Sequence, residues 1–309
     1  MSIELSEATG LAADREEGGG AIADQPFVEY LWSDLKARRN ALSLWPEDLA
    51  PLLGVDAALY LTYEYDRPQD VPTKSEGRRG AVKVLLTKGA STDSVPAEFI
   101  EELDDMEDFV ADEVERLIGT SDDLDVVTLN AVIDQETFTS DYPHACTQLH
   151  EYPYPVRLQY VAVGRAAAEL RRQGRDVEVY RGERRFDLAA ARFAVGLGKS
   201  ETACLLGVNE KSYFANERKG VVRQASLNDL QKLDDFIADA ANGLDVKDEN
   251  GVSVIWVCDD HEDFEKAHPK AFFERSGEPY PVRMLWVAAG RRTSALREGG
   301  QAVRIAAVG

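Results

Sequence analysis

Sulfur and imidazole are scarce in this chain. It has 309 residues but three cysteines, three methionines and four histidines. Cys146, Cys204 and Cys258 are scattered and odd in number, which excludes a disulfide scaffold and suits a reducing cytoplasm. His144, Cys146 and His150 form a short His-x-Cys-x3-His cluster. It lacks a fourth ligand and a counterpart elsewhere, so a plain loop is expected there and no metal. No apolar run reaches membrane-spanning length, and the start has no basic, then apolar, signal segment. No glycine-rich phosphate loop and no Ser/His/Asp order occurs, so neither an enzyme nor a cofactor is expected. Positive charge is also short: 35 Lys and Arg face 56 Asp and Glu, a net charge of −21.

That charge is unevenly spread. Residues 1–26 carry six acids, one arginine and a triple glycine, and read as a disordered tail. Residues 96–123 carry twelve acids and one arginine, and the paired acids of 101–108 among them read as a solvated helix face. Residues 181–225 reverse the sign, with nine Lys and Arg against five acids. A phosphate contact belongs there if anywhere.

What is present in abundance is self-similarity. Pro-Tyr-Pro-Val-Arg occurs at 153–157 and again at 279–283. At the same offset Asp134, Glu136, Phe138 and Pro143 fall on Asp260, Glu262, Phe264 and Pro269, and Gly164-Arg165 on Gly290-Arg291. Upstream the offset grows by one, placing Met106, Phe109 and Asp112 on Leu233, Phe236 and Asp239. Further upstream, Leu52-Leu53-Gly54-Val55 falls on Leu205-Leu206-Gly207-Val208. Constant order with stepped offsets means one duplication plus an insertion. The expected organisation is a tail (1–26), a first helical module (27–95) with its insertion at 66–95, and a first α+β module (96–180). A second helical module (181–225) and a second α+β module (226–309) follow.

Each copy predicts an α+β fold, mainly α. Phe99, Leu103, Met106, Val110, Val114 and Leu117 recur at helical spacing, and Val126–Ile133 and Val252–Val257 read as strands. A helix follows each Pro-Tyr-Pro-Val-Arg, then a short strand over 176–180 or 301–307. The prolines set the helix entry, and the arginine has a phosphate, a carboxylate or solvent open to it. Tyr160, Gly164, Trp286 and Gly290 are expected to pair these two helices with each other, making a pseudo-dimer within one chain.

The helical modules carry the functional pattern. A helix ends at Leu-Leu-Gly-Val, glycine supplies the left-handed stop, and Asp56 or Asn209 caps a new helix at once. Two helices so joined define a helix-turn-helix. The run Leu44-Trp45-Pro46-Glu47-Asp48-Leu49-Ala50-Pro51-Leu52-Leu53-Gly54-Val55, with Tyr63-Glu64 beyond it, resembles the Cro/repressor-like (XRE) family. So do Leu197, Ala203, Leu205 to Val208 and Asn216-Glu217, with Thr202 and Cys204 as departures. The whole repeat is similar in order to anti-CRISPR-associated repressors and YdiL-like regulators. That resemblance implies a transcription regulator, a repressor by type, with dimerisation-type C-terminal modules.

The copies differ on the second helix of the motif. Copy two offers Asn209, Lys211, Ser212, Tyr213, Ala215, Asn216, Arg218 and Lys219, with Lys199 and Ser200 for phosphate. Asn suits adenine, Lys guanine, and Ser either. Copy one offers Asp56, Ala57, Ala58, Leu59, Thr62 and Tyr63, and reads as a degenerate reader. Weaker contacts are expected from Lys36 and Arg39, and from Arg78, Arg79 and Lys83 in the insertion, whose AVKVLL run is an arm or a loop. The expected partner is double-stranded DNA, an operator of inverted-repeat type with unequal halves. RNA and self-association stay open, and no membrane is expected. The rival is a non-DNA interaction protein, an antitoxin-like partner or an acidic decoy of a DNA-binding protein.

Overall fold

The computed structural model describes residues 28–64, 94–120 and 126–308. The expected tail and nearly all of the insertion, with Arg78, Arg79 and Lys83, lie outside the described residues. The first half runs α1 (Trp32–Ala41), α2 (Pro46–Leu49), α3 (Ala57–Glu64), α4 (Ala97–Gly119), β1 (Val126–Ala131), α5 (Gln135–Asp141), α6 (Arg157–Arg172) and β2 (Asp176–Arg181). A two-residue strand, β3 (Arg184–Arg185), folds back on β2. The order then begins again with α7 (Asp187–Ala194), α8 (Lys199–Leu205), α9 (Glu210–Lys219) and α10 (Gln224–Gly243). It ends with β4 (Val246–Glu249), β5 (Val252–Cys258), α11 (His261–Ala267), α12 (Arg283–Glu298) and β6 (Ala302–Val308). The fold is α+β and mainly helical, with two three-stranded sheets, β1-β2-β3 and β4-β5-β6. β1 runs parallel to β2, and β5 to β6, because α6 and α12 carry the chain back across their sheets.

Local chemistry repeats with the elements. Asp134 caps α5 through the Thr137 N–H, and Asp260 caps α11 through the Asp263 N–H, both at 2.9 Å. The paired Pro-Tyr-Pro-Val-Arg arginines reach protein, not solvent. Arg157 donates to the Ser43 carbonyl (3.2 Å) and Asp48, and Arg283 to the Gly196 carbonyl (2.9 Å) and Glu201. Ser43 and Gly196 hold the same left-handed turn, at φ 55° and 69°. One local difference is visible: α2 stops at Leu49, whereas α8 runs seven residues. Pro51 has no N–H with which to continue a helix.

The acidic run on α4 is only partly a solvated face. Glu102, Asp104, Glu107 and Glu113 are buried. Glu102 accepts from the Leu149 N–H, and Asp104 pairs with Arg38 and Arg297. Glu107 pairs with Arg165 and Glu113 with Arg116.

The halves interlock. α1 lies along α12 and against β6, and α7 lies along α6 and against β2. A Cβ added at Gly290 would come 2.7 Å from the Ala37 carbonyl oxygen, and one at Gly164 would come 2.2 Å from that of Ala190. Only glycine permits backbones that close. This corrects the expected pairing: the four seam residues do not bring α6 to α12. Tyr160 meets Phe186 edge-on and Phe193 at a tilt beside α7, and Trp286 meets Trp32 of α1 at a tilt. The physical reason lies at the sheet edges. Asp34 accepts from the Ile305 N–H at 2.8 Å, while the Ser33 hydroxyl donates to the Ile305 carbonyl at 2.7 Å. In the other half Asp187 accepts from the Val179 N–H at 3.2 Å, and the Phe186 N–H donates to the Val179 carbonyl at 2.7 Å. Each first helix thus satisfies backbone groups of the other half's last strand.

Candidate nucleic-acid interface

α8 and α9 are built from signals a few residues long. The Gly198 N–H donates to Glu201 at 3.2 Å, closing the first turn of α8. Gly207, at φ 62°, lets the chain leave that helix. The Asn209 side chain accepts from the Ser212 N–H at 3.1 Å and starts α9, which ends at Gly220 with φ 70°. Beneath α9 lies a buried ion pair. Arg192 donates to Glu217 at 2.8 Å and to the Leu197 carbonyl at 2.9 Å, and Lys199 approaches Glu217 at 3.4 Å. Burial pushes the Glu217 carboxyl up, but Arg192, helped by Lys199, outweighs it and holds the pKa below the ordinary glutamate value.

This scaffold sorts the expected contacts. Lys211, Ser212, Arg218 and Lys219 are exposed on one side of α9, with Ala215 and Asn216 half-buried. Lys211, Arg218 and Lys219 make no ion pair among the described residues. Tyr213 is 2% exposed and belongs to the core, because it points to the opposite side of the helix from Lys211. Lys199 is exposed but leans on Glu217, and the Ser200 hydroxyl donates to Glu210. Two first-copy cations are also claimed by the fold. Arg39 is buried, held on Glu64 and the Leu44 carbonyl. Lys36 pairs with Asp259 at 2.9 Å and sits over the Trp32 and Trp286 rings.

On α3 the matching side carries no cation. Asp56 caps the helix through the Leu59 N–H, Leu59 is exposed, and Tyr63 packs edge-on against Phe99. The two helical units stand side by side: a Cβ at Gly198 would lie 3.4 Å from the ring of Trp45, its own counterpart in the first copy. Arg223, exposed just before α10, joins Asn209, Ser212 and Asn216 around a pocket. Its signal in the sequence was its place at the end of the basic segment.

The metal-type cluster does not gather. Among the described residues no three His, Cys, Asp or Glu side chains converge, and His150 packs against Tyr152 with ring centroids 5.5 Å apart. No helix among the described residues is long and apolar enough to cross a membrane. No family model, no curated protein and no solved structure matches the chain.

Proposed function

We propose that this chain is a sequence-specific DNA-binding regulator in which α8 and α9 form a helix-turn-helix and α9 enters the major groove. The observation that carries the reading is the outer side of α9. In a chain of net charge −21, its Lys211, Arg218 and Lys219 are exposed without an acidic partner among the described residues. Asp104, Glu107 and Glu113 support it, since arginines draw them inward. Acids on surfaces more than a Debye length, about 8 Å, from the phosphates act weakly. The two halves serve as a pseudo-dimer, and the unlike α3 and α9 predict an operator with unequal halves. Three cationic contacts give a fall of about 2.7 log units in affinity per decade of salt.

The test is fluorescence anisotropy on the DNA upstream of the gene and on a scrambled duplex, at two salt concentrations, with Lys211→Ala and Arg218→Ala. Preference for the upstream duplex, lost with salt and with either substitution, supports the reading. Equal binding to both duplexes, or none at low salt, overturns it. One observation favours a protein-binding role for the first copy, the exposed Leu59 on cation-free α3. DNA affinity unchanged by Leu59→Asp, with loss of a pulled-down protein, would establish that role.

A further inference from the structure

The two copies differ at one buried place as well. In the first, Tyr63 of α3 and Phe99 of α4 meet edge-on with centroids 5.6 Å apart and close the gap between their helices. Asn216 and Ser226 stand at the matching places of α9 and α10. Pro96 and Leu59 are matched by Arg223 and Ser212. Where the first copy holds four large or apolar residues the second holds small or polar ones, and a pocket of about 220 Å3 lies among them. Leu188, Val208 and Tyr213 form its apolar lining, while Arg223, Asn209 and Asn216 bring polar groups to it. The buried Ser226 hydroxyl accepts from Arg275 at 3.3 Å, which leaves its own proton available. Erosion of packing alone would not predict a guanidinium at the same place.

We infer that this pocket binds a small aromatic carboxylate, its ring against Leu188, Val208 and Tyr213 and its carboxylate on Arg223. The volume is below the usual range of about 300–1,000 Å3 for ligand pockets, which limits the guest to one ring. A guanidinium pairs with a carboxylate through two parallel hydrogen bonds. Because Ser212 and Asn216 belong to α9 and Ser226 to α10, the guest bridges the two helices and fixes α9. The consequence for DNA rests on the reading proposed above; the binding of the carboxylate does not.

The experiment is saturation-transfer NMR with benzoate, and with benzyl alcohol as the uncharged control, on the full chain without DNA. Wild type is expected to bind benzoate in preference to benzyl alcohol. Arg223→Gln, at an exposed position, is expected to weaken benzoate binding by about tenfold or more. Asn216→Tyr with Ser226→Phe restores the first copy's aromatic pair and is expected to abolish it while preserving the thermal melt. No benzoate signal on wild type, equal affinity in Arg223→Gln, or equal affinity in a folded double variant would each overturn the assignment. Anisotropy with and without benzoate then reads the effect on DNA separately, so loss of the DNA reading leaves the ligand result standing.

Discussion

The two halves share several buried polar pairs and differ most on the outer sides of α3 and α9. Arg39 holds Glu64 and the Leu44 carbonyl, and Arg192 holds Glu217 and the Leu197 carbonyl, with the same nitrogen on the same acceptor. Arg165 reaches the Ala41 carbonyl and Glu107, and Arg291 the Ala194 carbonyl and Asp234. On α3 and α9, by contrast, the positions of Ala58, Leu59 and Tyr63 are taken by Lys211, Ser212 and Asn216 in the second copy. Buried polar pairs resist change because removing one partner strands the other without water. Exposed positions carry no such penalty, so divergence has room there.

The largest effect should come from breaking the shared interior. Arg39→Ala is expected to cost about 3–5 kcal/mol, because it leaves Glu64 buried without that partner. Arg192→Ala should cost less, since Lys199 still reaches Glu217. Urea melts of the two variants test the order, and equal losses would deny Lys199 that role. Next come the seams: Gly164→Ala and Gly290→Ala should each cost about 1–3 kcal/mol, Gly164 the more because its added Cβ comes closer to backbone. A chemical melt of each decides that. A third effect is set by acid. Burial raises the Asp234 carboxyl, but Arg291 and Arg172 hold it below its ordinary value, as Arg192 does for Glu217. Folded-state pKa values below the unfolded ones give stability that is present above about pH 4 and lost as pH falls through the folded values. Melting temperature measured from pH 5 to 3 should drop, and less steeply in Arg291→Ala. The smallest is a gain: Ala58→Lys, placing on α3 the cation that α9 has at Lys211, should raise DNA affinity by about 1 kcal/mol or less, read by anisotropy.

Much of the fold could be read along the chain. The repeated Leu-Leu-Gly-Val, the Asn209 cap and the apolar run over Val126–Ile133 are local signals, and local structure followed them, the strand ending at Ala131. The α6 and α12 glycines announced a close approach but not its partner, since any backbone can meet a glycine. Lys36 and Arg39 looked exposed for a similar reason: Asp259 and Glu64 lie 223 and 25 residues away, beyond any local pattern. In the candidate site, the cations of α9 were legible from helical spacing. The pocket beside them was not, because it arises from what two separate helices fail to fill.

The exchange of first helices also has a cost in time. Asp34 and the Ile305 N–H it accepts from are 271 residues apart. At a synthesis rate of about 5–20 residues per second, α1 leaves the ribosome roughly 15–50 s before its strand exists. For that interval Trp32 and Ala37, which end up packed with the second half, have no final partner. α7 faces no such wait, because β2 has already been made when it emerges. The nascent chain is therefore vulnerable at one end only, and a chaperone acting on it would be expected to hold α1.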